Sequence, residues 1–173
     1  MKTSPSTRRR GFTLVEMLAV ITIIVILAAV ILGSIKFVKD KQNSSKASIQ
    51  IALLAKAIQE YKLDNGNYPP STSNDGTGQT KNLRQVLYLD GVNDATKQKK
   101  TYVPELDETN KQQWISGTGS TAIIVDPWGN EYRYRTGTSA LNPDFDLWSC
   151  GKDGVTSEDD PKNQKSLDDV RAN

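Results

Sequence analysis

The chain has 173 residues, one cysteine (Cys150) and no histidine. That excludes an intrachain disulfide framework, imidazole catalysis, histidine metal sites and the usual Ser/His or Cys/His nucleophile pairs. The net charge of +2 is front-loaded, because Lys2, Arg8, Arg9 and Arg10 precede Gly11 and no acid does; beyond Gly11 the chain stands at −2, with no basic bias toward nucleic acid.

After Gly11 an apolar run extends from Phe12 to Ile35, broken by Glu16 alone. A bilayer core needs about 20 such residues as a helix, so this run can span one. The arginines before it place the N-terminus in the cytoplasm. A cleaved secretory signal has an apolar region of only about 7–15 residues with a small-residue cut site after it, and this run is longer. A plain signal anchor accounts for length and orientation but leaves Glu16 without a purpose. An ionisable group at the centre of a membrane helix costs roughly 2.5–3.5 kcal/mol and calls for a partner.

The hexapeptide Gly11-Phe12-Thr13-Leu14-Val15-Glu16 resembles the cleavage and assembly motif of type IV pilins and type II secretion pseudopilins. The resemblance implies that a prepilin peptidase cuts between Gly11 and Phe12, that Phe12 becomes an N-methylated terminus, and that Glu16 pairs with the terminal amine of a neighbouring subunit. Such pairing neutralises two charges inside an apolar bundle. Residues 1–11 are then a cytoplasmic leader, 12–35 a transmembrane and assembly helix, and 36–173 a periplasmic domain.

A second pattern begins after the polar stretch 36–46. Ala47, Ile51, Leu54, Ile58 and Tyr61 recur at spacings of four and three, on one helical face, with Lys46, Gln50, Lys56, Gln59 and Lys62 turned to solvent. Asn65-Gly66-Asn67 supplies a stop near residue 65, and Pro69-Pro70 prevents continuation. No proline separates the two helical patterns, which predicts one long helix. The variable region 66–121 opens with a Ser/Thr/Asn/Gly-rich loop over 71–80. Leu83, Val86, Leu87 and Leu89 predict one or two helical turns, and Tyr102, Val103, Leu106 and Trp114 are scattered anchors in a polar stretch to which no site is assigned.

The remainder, 122–173, reads as a sheet followed by an acidic loop. Ala122-Ile123-Ile124-Val125 is a β-branched strand, followed by the turn Asp126-Pro127-Trp128-Gly129-Asn130. In Glu131–Arg135 the tyrosines alternate with arginines, one type on each face, and Phe145, Leu147 and Ser149 alternate with Asp144, Asp146 and Trp148. These predict three antiparallel strands burying one face against the helix. Cys150 reads as a small buried strand-end residue. The segments Asp126–Tyr132, Phe145–Ser149 and Gly151-Lys152-Asp153-Gly154 resemble the major pseudopilin family of type II secretion. That resemblance implies a calcium ion in the last loop, held by the Cys150 backbone carbonyl and by Asp153 and Asp168, with Asp169 beside it; Asp159 and Asp160 form a rival set. Hard oxygen ligands suit calcium, whereas the plain alternative is a solvated acidic tail.

The fold expected is α+β and pilin-like: a long N-terminal α-helix on a small antiparallel β-sheet with a C-terminal loop. The function expected is that of a non-enzymatic subunit of a pseudopilus, anchored in the bacterial inner membrane and assembling in the periplasm to drive type II protein export. The implied partners are other copies of itself, the prepilin peptidase, the inner-membrane assembly platform and minor pseudopilins. The rivals are a type IV pilin or minor pilin, whose C-terminal disulfide one cysteine cannot make, and a membrane-tethered binding module indifferent to Glu16.

Overall fold

The first helix, α1 (Leu14–Asn65), is preceded by Thr13 and followed by Gly66. The computed structural model describes residues 11–110, 114–157, 160 and 162–172, with the side chains of 30–37 excepted. Leader residues 1–10, together with Asp159 of the rival metal set, lie outside the described residues. The chain divides into two compact units, 1–39 and 40–173. At its far end α1 stops as expected: Gly66 takes φ +80° and its N–H reaches the Lys62 carbonyl at 2.7 Å, a left-handed cap that glycine adopts without a Cβ clash.

In the N-terminal unit the apolar side chains from Phe12 to Leu27 are all exposed. Among the described residues no helix is long and apolar enough to cross a membrane; within 12–35 the side chains are described as far as Ala29.

In the unit 40–173 the expected face of α1 is the core face. Ala47, Ile51, Leu54 and Ile58 are buried, with Tyr61 at the margin. Leu83 and Leu87 pack on them from a short helical segment, followed by Val103, Leu106 and Trp114, and the sheet adds Ile124, Tyr132, Tyr134 and Leu147. That segment is longer than its four leucine and valine positions suggest: α2 (Thr80–Arg84), a π-helical turn (Gln85–Leu89) and α3 (Asp90–Val92) run on without a break. Gln50 corrects the expectation of a solvent position. It is buried and accepts a hydrogen bond from the Tyr132 hydroxyl at 2.6 Å, which is how a buried amide avoids an unpaired polar group.

The strands differ from the three expected. The run at 122–125 contributes β2 (Ile123–Ile124), which pairs antiparallel with β1 (Ile115–Ser116) in a separate two-stranded sheet. An isolated bridge, Val125↔Glu131, connects it toward the next strand. The main sheet has the order β3 (Arg133–Thr136), β4 (Phe145–Ser149), β5 (Val170–Arg171), all antiparallel, so its third strand comes from the tail. Both faces of this sheet are covered, and all five residues of β4 are buried. Tyr132 and Tyr134 lie in the core as predicted, but Arg135, expected on an open face, is also buried. Its Nε donates to Asp146 at 2.6 Å and its guanidinium stacks 5.3 Å from the Trp148 ring.

Candidate assembly segment and acidic C-terminal loop

Thr13 and Glu16 form a reciprocal pair at the start of α1. The Thr13 N–H and hydroxyl both donate to Glu16 Oε2 at 2.8 Å, and the Glu16 N–H donates to Thr13 Oγ1 at 3.3 Å. This is a capping box: the cap hydroxyl meets the N–H three residues on, and that residue's carboxylate meets the cap N–H. The carboxylate also lies at the positive end of the helix dipole. Phe12, which precedes the cap in sequence, is exposed. Thr13 is a residue whose part in the site was not assigned from the sequence, although the Thr-x-x-Glu spacing that signals a capping box was there to be read.

The C-terminal loop is tied by its own acids. Asp168 Oδ2 accepts the N–H groups of Lys152 (2.8 Å) and Asp153 (3.2 Å), closing the turn that follows Cys150. Asp153 Oδ1 turns back to the Val155 N–H at 2.8 Å. The Asp169 side chain is almost wholly buried, at 1 % exposure; its Oδ2 accepts from Thr156 at 2.6 Å and Arg171 at 2.9 Å. Asp160 caps a local turn, accepting from the Lys162 N–H at 3.0 Å. Lys152 carries the loop to α1 through Asp40, with Nζ 2.6 Å from Oδ2. Cys150 is buried as expected. Arg133 Nε approaches its sulfur at 3.5 Å, yet burial outweighs that cation and pushes the thiol up from its ordinary pKa.

The expected metal ligands are therefore close in part. Asp153 and Asp168 meet through one backbone N–H, and Asp169 is adjacent. One carboxylate oxygen of each is engaged by this chain's own donors, and among the described residues no three acidic or thiol side chains converge as an ion would require. One atom does suit a hard cation: Asp169 Oδ1 is buried and has no hydrogen-bond partner among the described residues. A buried acceptor without a partner is costly unless something fills it.

The family model described as "Type II secretion system (T2SS), protein G" matches residues 35–85 and 92–166, and one described as "Prokaryotic N-terminal methylation motif" matches residues 6–32. The chain is 34 % identical to the type II secretion system core protein G of Escherichia coli K12 over 161 residues, covering 90 % of this chain and 91 % of that one. The chain belongs to the type II secretion protein G family. Its similarity to the protein G of Aeromonas hydrophila is 31 % identity over 95 % of this chain and 97 % of that one. For the Pseudomonas aeruginosa protein G it is 32 % over 85 % and 86 %. The protein G model passes over 86–91, which holds most of the π-helical turn. The long helix and small antiparallel sheets agree with the α+β, pilin-like fold expected for a protein G.

Proposed function

We propose that this chain is a structural subunit of a periplasmic pseudopilus that drives protein export by a type II secretion system. The observation that carries this reading is the N-terminal segment. Its apolar side chains from Phe12 to Leu27 are exposed, with Glu16 the one carboxylate among them, within a methylation-motif match. Exposed apolar area on this scale needs lipid or other helices to cover it. Residues 12–35 supply a single membrane pass with the N-terminus cytoplasmic. Hydrolysis of the Gly11–Phe12 bond by the prepilin peptidase then frees a cationic amine four residues from Glu16, which a separate methyl transfer from a methyl donor converts to its N-methylated form. On passing from lipid into a bundle of identical helices, the Glu16 carboxylate leaves Thr13 for the amine of a neighbouring subunit. Its other partners are the inner-membrane assembly platform and minor pseudopilins. Intact mass and cross-linking of the membrane fraction test this. The native chain should lack residues 1–11 and give oligomer ladders that Glu16→Ala removes; a retained leader, or ladders indifferent to Glu16, overturns the reading.

A calcium ion in the C-terminal loop belongs to the same proposal. Its support is the buried, unpartnered Asp169 Oδ1 and an all-oxygen donor set. Asp153, Asp168, Asp169 and the Cys150 carbonyl would hold it, and the ion would neutralise the loop's acids. Adding calcium after chelation should raise the melting temperature of the native chain and leave that of Asp169→Asn unchanged. An identical response in both removes this loop as the site.

A further inference from the structure

Asn65-Gly66 is the one Asn-Gly pair in the chain. In an unfolded chain such a pair is chemically short-lived. Hydroxide takes the glycine N–H proton, the nitrogen attacks the asparagine side-chain carbonyl carbon, and the amide leaves as ammonia after taking a proton from water. The product is a five-membered imide, which water opens at either carbonyl to give aspartate or isoaspartate. Glycine favours the step, because no Cβ crowds its nitrogen and its backbone turns freely. Both residues are exposed, so water and hydroxide reach them.

The fold keeps the two reacting groups apart. Asn65 is the last residue of α1, and closing the imide requires its ψ to leave the helical value of about −42°. The nitrogen that would attack is tied back, since the Gly66 N–H donates to the Lys62 carbonyl at 2.7 Å. The amide it would attack is drawn toward the preceding turn, as side chains on a helix lean. Its Nδ2 donates to the Tyr61 carbonyl at 2.9 Å and to the Tyr102 hydroxyl at 3.2 Å. Tyr102 supplies the one restraint of the three from outside the helix, and it is itself fixed. Its N–H donates to the Leu87 carbonyl at 2.8 Å, and its ring meets Tyr61 edge to face at 5.6 Å. Gly91 lets that loop approach, because a Cβ there would stand 2.5 Å from Thr101 Oγ1.

We propose that Asn65 is a site of spontaneous deamidation gated by Tyr102: intact while the hydroxyl holds the amide, and converted irreversibly in chains whose last helical turn has opened. The product does not restore the closed state. An aspartate has no N–H to give the Tyr61 carbonyl, and its charge stands next to Asp64 at the negative end of the helix dipole. Isoaspartate adds a carbon to the backbone, which takes the Gly66 N–H out of register with Lys62. Water is the only co-reactant, so the modification records how often this end of α1 opens.

The test incubates the full chain in detergent micelles in mildly alkaline buffer, beside the free peptide acetyl-Tyr-Lys-Leu-Asp-Asn-Gly-Asn-amide. Peptide-mapping mass spectrometry follows the exchange of NH2 for OH at residue 65. The native chain should react at least about tenfold more slowly than the peptide, since it must first open locally. Tyr102→Phe keeps the ring but removes the hydroxyl, and should speed the reaction about two- to tenfold, the shift expected from losing one hydrogen bond. Leu54→Ala, held below its melting temperature, weakens the core without touching the cap and should stay within about twofold of native, which a reaction through global unfolding would not do. A native rate equal to that of the peptide, Tyr102→Phe no faster than native, or Leu54→Ala accelerating as much as Tyr102→Phe overturns the proposal.

Discussion

The two ends of α1 use the same kind of residue in opposite ways. From Phe12 to Leu27 the apolar side chains lie exposed, and the local hydrogen bonds there join neighbours in sequence: Thr13 to Glu16, and Thr22 back to the Leu18 carbonyl. In the second half Ala47, Ile51, Leu54, Ala57 and Ile58 are buried among partners up to tens of residues away, and the tyrosine hydroxyls reach as far as Gln50 and the Pro69 carbonyl. Hydrophobicity alone therefore does not say what a helix contributes to. The C-terminal half of α1 stores its stabilisation within this chain, whereas the N-terminal half leaves its stabilisation to be found outside it.

The sharpest way to break that contrast is to make one substitution in both halves. Leu54→Ala, at a fully buried position, should destabilise the domain by about 2–5 kcal/mol, read as a drop in melting temperature. Leu18→Ala, at an exposed position, should leave that temperature unchanged and weaken only assembly. Equal losses would mean that the N-terminal half also serves the domain's own core.

A smaller effect should come from the polar side of the core. Burial works to raise the pKa of Asp146, but the Leu141 N–H, the Arg135 guanidinium and the Asn142 N–H groups outweigh it and hold the carboxyl below the ordinary aspartate range. Because the folded value is depressed, this stabilisation is present above the unfolded value and is lost as pH falls through the folded one. Asp146→Asn should cost about 1.5–3 kcal/mol at neutral pH, since it removes charge-assisted hydrogen bonds. It should also flatten the acid limb of a melting-temperature profile taken from about pH 5 to about pH 2. A limb as steep as in the native chain would assign acid sensitivity elsewhere, and Asp75, held at about 2 by the hydroxyls and N–H around it, is the next group to test.

Tyr132→Phe leaves the buried Gln50 carbonyl without its donor and should cost about 1–3 kcal/mol. An unchanged melting temperature would show that another donor reaches Gln50. Least of all should Thr13→Ala affect the domain. Removing the cap should loosen the first helical turn by about 1 kcal/mol, seen as faster amide exchange at residues 14–16, with no shift in domain melting.

What could be read in the sequence was what its local pattern carries. The stop at Asn65-Gly66, the buried face of Ala47, Ile51, Leu54 and Ile58, and the anchors Val103, Leu106 and Trp114 all follow from period, turn residues or sheer size. The N-terminal motif was legible because its chemistry lies within six residues. Gln50, Arg84 and Arg135 were not legible as buried groups, because each is neutralised or hydrogen-bonded by a distant partner: Tyr132, the Leu106 carbonyl with Glu108, and Asp146. Strands β1 and β5 have two residues each, too short to show a period of two. The π-helical turn has no sequence signal either; its place is fixed by the loop that docks on Leu87. In the acidic loop the composition singled out Asp168 and Asp169 but not their present partners, since they engage N–H, hydroxyl and guanidinium donors that no spacing rule announces.

Cys150, enclosed at the end of β4 with its thiol pushed toward the neutral form by burial, is the chain's one sulfhydryl. To a maleimide or a bifunctional cross-linker in mild conditions, the folded protein is thus effectively thiol-free. A cysteine placed at an exposed position such as Ile49 would report on that position alone, so neighbours in any assembly can be mapped residue by residue without first removing a native thiol.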